Sequence, residues 1–225
     1  MNYHIDTGLI IQEFNKDSEC PICSIRKIAE EQFLHEFLND SVMASETRAK
    51  VNKLGFCSHH FDKLFNRQNK LSLGLQISTR VYQLQDYIVP IKNKKQAKKQ
   101  AELLRKQSST CIVCDLLNES MIKYYKTIAQ LYAKENSFRQ TFKNCKGFCL
   151  EHYAYLLEYS MFAGSFADEY IQVLSELQAR NISRLQQDLT RFCRKHDYRN
   201  ASMPLGSAEF VLPNMRIKLY GDKGK

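Results

Sequence analysis

Cysteine and histidine residues recur along the chain in two copies of one pattern. Each copy reads Cys-x-x-Cys, then a long gap, then Gly-Phe-Cys-x-x-His. The candidate ligands are Cys20, Cys23, Cys57 and His60 in the first copy, and Cys111, Cys114, Cys149 and His152 in the second. Three thiolates and one imidazole form a ligand set that binds tetrahedral Zn²⁺. The pattern therefore predicts two zinc ions per chain.

The two copies keep a nearly constant offset. Corresponding cysteines of the Cys-x-x-Cys pairs lie 91 residues apart, and the Cys-x-x-His pairs lie 92 residues apart. This regularity indicates an internal duplication. We expect each copy to close its own site, with the metal joining the start of the first helix to the start of the third. The long gap between ligand pairs favours a metal that clamps a helical domain over one that nucleates a very small fold.

Other chemistries of these residues compete with a structural zinc site. One histidine among three cysteines leaves an iron–sulfur cluster open as an alternative. Catalytic zinc keeps a position for water or substrate, whereas each copy supplies four ligands, so we expect structural sites and no enzyme activity. The chain lacks the His-x-Glu and Pro-Cys-x-x-Cys signature of the zinc deaminases. Cys20-Pro-Ile-Cys23 is similar to a glutaredoxin redox motif, but that motif belongs to a mixed sheet.

Comparison of the copies separates the ligands from the other cysteines and histidines. Cys145, His59 and His35 stand opposite lysine or glutamate in the other copy, so we place them outside the ligand set. Cys193 and His196 form a third Cys-x-x-His, but no Cys-x-x-Cys pair remains to complete it. We interpret these two residues as packing and surface residues.

Helical periodicity positions the ligands, and strand signals are scarce. An apolar stripe at intervals of three and four follows the first Cys-x-x-Cys, and a second helix is expected from about Ser45 to Leu54. Gly55 ends that helix and Gly147 takes the same place in the second copy. Each Cys-x-x-His then opens a third helix. A long helix of roughly 45 Å is expected from about Ser165 to His196, across both copies.

These elements predict an all-α fold. It is an internally duplicated helical repeat in which each copy is clamped by a Cys3His zinc site, and the long C-terminal helix joins the copies. The expected divisions are a first repeat at 1–89, a basic helical linker at 90–108, a second repeat with the long helix at 109–200, and an extended tail at 201–225. In the tail we expect at most a short strand, around Met215 to Tyr220.

Composition bounds the class of protein. The 225 residues are 44% hydrophobic, which is enough for a real core. The first twenty residues carry Asp6, Glu13 and Asp17 and no long apolar run, so we expect neither a signal peptide nor a membrane anchor. The cytoplasm is the expected compartment, and its reduced thiols favour metal binding over disulfides.

A basic segment gives an alternative function. Residues 92–106 hold seven lysines or arginines against one glutamate, a large part of the net charge of +9. The nucleic-acid-binding candidates are Lys94, Lys95, Lys98, Lys99, Arg105 and Lys106. Clustered cations attract phosphate in a salt-dependent way. The segment lacks interleaved aromatic residues for base stacking, so a solvated helix stays open as the other interpretation.

The duplicated motifs, together with Phe-Cys-Arg-Lys-His-Asp-Tyr-Arg-Asn at 192–200, resemble an uncharacterised bacterial family, a domain of unknown function common in anaerobic Gram-positive bacteria. The resemblance covers the chain up to about Asn200. Some members of that family carry the label of an ABC-transporter substrate-binding protein, but this chain shows neither an export signal nor a lipoprotein cysteine. The resemblance supports the motifs and implies no activity.

The sequence therefore predicts a zinc-binding intracellular helical protein that acts as a binding or regulatory module. A protein or nucleic-acid partner is expected, with no membrane and no small-molecule substrate. The alternatives left open are nucleic-acid binding through the basic linker and a redox sensor, in which oxidation of zinc thiolates releases the ion and Cys145 is a candidate disulfide partner.

Overall fold

A computed structural model describes residues 7–39, 42–200 and 202–222, and the described chain is helical with no strand. The first five helices are α1 (Thr7–Phe14), α2 (Pro21–Leu38), α3 (Ser45–Leu54), α4 (Ser58–Phe65) and α5 (Lys70–Gln85). The others are α6 (Lys94–Ser108), α7 (Ile112–Lys134), α8 (Asn136–Asn144), α9 (Leu150–Glu158), α10 (Ala167–Lys195) and α11 (Val211–Tyr220). Short 3₁₀ helices cover Ser160–Phe166, Tyr198–Asn200 and Gly206–Phe210. The all-α prediction is confirmed.

The helices fall into two compact units that do not coincide with the sequence copies. One unit combines residues 1–27 with 121–225, and the other holds residues 28–120. The boundaries therefore fall inside α2 and α7. The internal duplication stays a prediction from the sequence.

An aromatic cluster forms the core of the first unit. Phe14 of α1 stacks on Phe142 of α8, with ring centroids 5.9 Å apart, and meets Phe138 edge-on at 5.1 Å. Tyr132 and Tyr170 extend the cluster from α7 and α10. All five side chains are buried, so their large apolar area stabilises this unit.

The core of the second unit is mainly aliphatic. Leu34 and Phe37 of α2 pack with Val51 of α3, Leu64 of α4 and Leu73 of α5. The start of α7 contributes Ile112 and Val113 to the same cluster. The apolar stripe of α2 is thus the shared face on which this unit assembles.

The long helix α10 is present, with 29 residues. It lies wholly within the first unit, where its contacts include α8, α9 and α11. It reaches the amino-terminal segment through Arg184, which donates to Glu19 at 2.7 Å. The helix therefore packs within one unit, and that unit contains residues from both copies of the sequence pattern.

The interpretation of 201–225 as an extended tail is wrong for its described part. The segment forms a 3₁₀ helix and then α11, and the strand expected around Met215 to Tyr220 is helical. Pro213 lies in the first turn of α11, where proline is tolerated. Val211 at the start of the helix is fully buried, and the helix packs on α10 and α9. Tertiary packing outweighed the weak local pattern.

Gly147 and Gly55 make the turn before each Cys-x-x-His. Their φ angles are +78° and +65°, the left-handed region that glycine adopts at low cost. A Cβ on Gly147 would lie 2.8 Å from the side-chain oxygen of Gln178, which itself accepts from the amide of Phe148 at 3.0 Å. This turn is therefore tight both in backbone conformation and in packing.

We expect Gly147→Ala to lower the free energy of unfolding by about 2 kcal/mol, because the new Cβ adds backbone strain and a close contact. Gly74→Ala is the matched control. Gly74 lies in α5, and an added Cβ there would meet no neighbouring atom within 4 Å, so alanine should stabilise by up to about 1 kcal/mol. Urea denaturation followed by circular dichroism measures both. Equal effects of the two substitutions would show that the turn does not require glycine.

Candidate metal centre

The structure brings the eight candidate ligands together in two clusters, but it pairs them across the copies. Cluster 1 consists of Cys20, Cys23, Cys149 and His152. Cluster 2 consists of Cys57, His60, Cys111 and Cys114. Each cluster thus takes its Cys-x-x-Cys from one copy and its Cys-x-x-His from the other. The expectation that each copy closes its own site is wrong.

Helix lengths are in line with the crossed pairing. From Cys23, α2 carries the chain about 23 Å away, and α3 with its ten residues returns only about 15 Å. From Cys114, α7 carries it about 30 Å away, and the nine residues of α8 return about 14 Å. In each copy, the helix before the second ligand pair is thus shorter than the helix after the first pair, which favours ligand pairs that meet across the copies.

Local structure at each helix start aims the ligands. Cys57 and Cys149 are the N-cap residues of α4 and α9, both in extended conformation, and each histidine follows three residues later in the first turn. Cys20 and Cys111 directly precede α2 and α7, whose first turns contain Cys23 and Cys114. A cap residue and a first-turn residue face the same way, so both ligands of a pair point at one position.

The distances inside cluster 1 match a single four-coordinate ion. The Sγ atoms of Cys23 and Cys149 are 3.8 Å apart. Nδ1 of His152 lies 3.3 Å from Sγ of Cys20, 3.5 Å from that of Cys23 and 3.3 Å from that of Cys149. Tetrahedral zinc with Zn–S bonds of about 2.3 Å and a Zn–N bond of about 2.0 Å requires S···S of about 3.8 Å and S···N of about 3.5 Å.

Cluster 2 has nearly the same geometry. The Sγ atoms of Cys57 and Cys114 are 3.9 Å apart. Nδ1 of His60 lies 3.2 Å from Sγ of Cys57 and 3.3 Å from the sulfurs of Cys111 and Cys114. A disulfide would need about 2.05 Å between sulfurs, and all eight cysteines of the chain are free. The residues present fit a tetrahedral metal ion at both clusters.

The pKa values of the cysteines reflect competition for negative charge within each cluster. In cluster 2, burial opposes charge on Cys111, but a hydrogen bond from His60 lowers its pKa to about 6. Burial and the charge of Cys111 together raise the pKa of Cys114. In cluster 1, the hydrogen bond with Cys149 raises the pKa of Cys23 to about 12. Three sulfurs this close cannot all ionise by themselves, and a divalent cation removes their mutual repulsion.

Glu30 is a functional residue that the sequence did not reveal. Its Oε1 lies 3.0 Å from Nε2 of His60, on the side of the ring opposite the sulfurs, and its Oε2 accepts from Lys63 at 2.8 Å. Burial opposes its charge, yet these two partners lower the pKa of Glu30 to about 2. A carboxylate that receives the far N–H of a ligating histidine fixes the tautomer and the orientation of the ring.

Backbone contacts brace the two clusters differently. In cluster 2, the hydroxyl of Thr110 donates to the carbonyl of Leu54 at 2.6 Å, and the amide of Ile112 donates to the carbonyl of Gly55 at 3.0 Å. In cluster 1, the fully buried ammonium of Lys218 donates to the carbonyls of Glu19 and Lys146. Both arrangements tie the segment before one ligand pair to the segment before the other.

The remaining candidate residues do not belong to cluster 1 or cluster 2, although His59 forms a further group of possible metal ligands with Glu30 and His60. His59 lies 3.4 Å from Glu30, while its side chain is half exposed. Cys145 follows α8, and burial raises the pKa of its thiol to about 11, which lowers its reactivity. Cys193 is exposed on α10. The predicted nucleic-acid residues all lie on α6, which has no buried residue.

Comparison with known proteins places the chain in a family. The sequence profile of a family of unknown function, DUF6062, matches residues 1–223. The chain belongs to the DUF6062 family. The resemblance noted from the sequence ended at about Asn200, whereas the DUF6062 match continues beyond it and includes α11.

A curated protein is similar to the chain over most of its length. The chain is 23% identical over 211 residues to the "Uncharacterized 23.9 kDa protein in xynA 3'region" of Caldicellulosiruptor sp. (strain Rt8B.4), and the match covers 93% of this chain and 97% of that protein. No solved structure matches the chain. Among the described residues of this DUF6062 protein, no helix is long and apolar enough to cross a membrane.

We expect Glu30→Gln to weaken metal binding at cluster 2 by about 10- to 100-fold, because the amide binds the histidine ring less strongly than the carboxylate does. Glu31→Gln is the matched control, since Glu31 is the next residue of α2 and pairs with Arg67 at the surface. Competition with a chromophoric chelator measures both affinities. Unchanged affinity in Glu30→Gln, or an equal loss in both variants, would contradict the role of Glu30.

Proposed function

We propose that this protein binds two zinc ions as structural sites and acts as a binding or regulatory module of the cytoplasm. The donor set of three cysteines and one histidine in each cluster, at separations that fit one tetrahedral ion, carries the proposal. Zinc prefers this mixture of thiolate and imidazole.

The geometry favours zinc over the iron–sulfur alternative. Sulfurs only 3.8 and 3.9 Å apart surround a volume that holds one ion, whereas a cluster of several irons separates its cysteine ligands further. The four ligands of each set also fill a tetrahedron, which leaves no position for water or substrate. A structural role follows, and it supports a module over an enzyme.

The metal sites connect parts of the chain that are distant in sequence. Cluster 1 joins residues that are up to 132 positions apart, and cluster 2 joins residues up to 57 apart. A structural zinc site contributes on the order of 10 kcal/mol to folding at neutral pH, which is comparable to the stability of a whole domain. We infer that each unit depends on its own ion.

Metal content tests the proposal. We expect two zinc ions per purified chain, one in Cys23→Ser and one in Cys114→Ser, because each substitution removes a ligand from a different cluster. Cys193→Ser replaces an exposed cysteine outside both clusters and should keep two. Elemental analysis together with a free-thiol count gives the numbers. Iron in place of zinc, or less than one ion in the unchanged protein, would contradict the proposal.

Nucleic-acid binding is a second candidate, and the shape of α6 favours it. At 100° per residue, the six basic residues named above fall within an arc of about 140° on this helix, and Glu102 is the one acidic residue among them. All six are exposed. A one-sided row of cations can neutralise several phosphates of a nucleic-acid backbone.

We expect replacement of Lys94, Lys95, Lys98 and Lys99 by glutamine to abolish binding to mixed-sequence RNA and DNA at low salt, and to leave the zinc content at two. Fluorescence anisotropy with labelled oligonucleotides, over a series of salt concentrations, measures the effect. The control is a variant in which Lys123, Lys126, Lys134 and Lys143 of the first unit are replaced by glutamine. Its net charge falls by the same amount as that of the α6 variant. An equal effect of the two sets, or an unmodified protein that binds no oligonucleotide, would exclude this candidate.

A further inference from the structure

The two clusters differ in how well they are shielded from solvent. All four ligands of cluster 1 are buried, each 5% exposed or less. In cluster 2, His60 and Cys111 are buried as well, but Cys57 and Cys114 are half-buried. Small solutes therefore reach two sulfurs of cluster 2 more easily than any sulfur of cluster 1.

The C-terminal segment is what covers cluster 1. The backbone of Gly221 passes so close that a Cβ there would lie 3.7 Å from the sulfurs of both Cys23 and Cys149. The next amide, that of Asp222, donates to Sγ of Cys23 at 3.3 Å. An N–H donated to a metal thiolate lowers its electron density and its reactivity toward electrophiles.

Contacts of Lys218 hold the C-terminal segment against cluster 1. Its ammonium, one turn before Gly221, is fully buried and forms an ion pair with Glu19 at 3.2 Å, in addition to its bonds to two backbone carbonyls. Arg184 of α10 binds both oxygens of the same carboxylate at 2.7 Å. A buried charge with this many partners is costly to withdraw, so the cover stays closed.

The segment lies outside the repeated part of the sequence. Cluster 2 has a different contact at the equivalent place. The carbonyl of Leu54 corresponds in the repeat to that of Lys146, which accepts from Lys218. The Leu54 carbonyl accepts instead from the side chain of Thr110. The single C-terminal segment therefore shields one cluster and makes two otherwise similar sites unequal.

We propose that Cys57 and Cys114 are an oxidation site for hydroperoxides, and that the C-terminal segment protects the corresponding pair of cluster 1 from the same reaction. The inference rests on the proposed zinc binding. The inference assigns thiol oxidation to cluster 2 and, within it, to the sulfurs of Cys57 and Cys114. Cys145 is not needed for it.

The reaction balances with hydrogen peroxide as the oxidant. The two thiolates give up two electrons and form one S–S bond, while the O–O bond of the peroxide breaks and its two oxygens take up two protons and leave as two water molecules. The sulfurs have to approach from 3.9 Å to about 2.05 Å. His60 and Cys111 then remain as the only two ligands, which are too few to retain the ion.

The test uses the full-length protein after its zinc content has been measured. Hydrogen peroxide is added, released zinc is followed with a chromophoric chelator, and disulfides are mapped by mass spectrometry. We expect one zinc per chain to leave at least 10-fold faster than the other, with a disulfide between Cys57 and Cys114, and a dithiol reductant with added zinc to restore the full zinc content. Release of both ions at one rate, or a disulfide within cluster 1 first, would overturn the inference.

Variants of the cover test its protective role. Asp222→Pro removes the amide that donates to Cys23, whereas Asp222→Asn keeps it. We expect the proline variant to speed peroxide-driven zinc release from cluster 1 several-fold and the asparagine variant to leave the rate unchanged. Equal rates in the two variants would overturn the protective role.

Lys218→Met is a second variant with a larger effect, and Tyr220→Phe, at an exposed position of the same helix, is its control. We expect cluster 1 of Lys218→Met to release zinc at a rate near that of cluster 2. These outcomes are separable from failure of the proposed function: a protein with two zinc ions and equal release rates refutes only the oxidation site, and a protein without zinc refutes the proposed function itself.

Discussion

Three sulfurs and one imidazole nitrogen lie within 4.8 Å of one another in each cluster, so the thiols repel one another when they ionise, and this repulsion constrains both clusters. Burial strengthens it because the local dielectric constant is low. In cluster 2, the low pKa of Cys111 and the raised pKa of Cys114 are two sides of the same competition for a single negative charge. The donor set of each cluster can hold a metal ion, whose positive charge would offset this repulsion, and the helix starts aim the donors at one position.

The crossed pairing gives each cluster ligands from both copies of the sequence pattern. Each Cys-x-x-His lies beside the Cys-x-x-Cys of the other copy, and α3 and α8 are shorter than the helices before them. The same crossing leaves the surroundings of the clusters unequal. His60 receives Glu30 from α2, and cluster 1 receives α11 and the segment after it. Two sites with one ligand set thus differ in the groups behind the ligands and in their access to solvent.

Features that depend on local spacing were predicted from the sequence, namely the residues that cluster and several helix boundaries. Ser45–Leu54 has the predicted bounds, Gly55 and Gly147 have positive φ, and each Cys-x-x-His opens a helix. Spacing alone could not distinguish pairing within copies from pairing across them, since the two copies are equivalent in the pattern. The unequal lengths of α7 and α8 favoured pairing across the copies, but connecting loops can span such a difference, so helix lengths alone did not decide the pairing. Lys218 and Glu30 were missed because a single charged residue on a helix says nothing about a partner that is distant in sequence.

The crossed pairing is tested most directly by thiol footprinting of the variant in which Cys20 and Cys23 are both serine. The native variant is alkylated, digested and analysed by mass spectrometry, with Cys193 as the reference for an exposed thiol. Crossed pairing predicts that Cys149 becomes reactive, while Cys57, Cys111 and Cys114 stay as protected as in the unmodified protein. If Cys57 becomes reactive and Cys149 stays protected, each copy closes its own site and the crossed pairing is wrong.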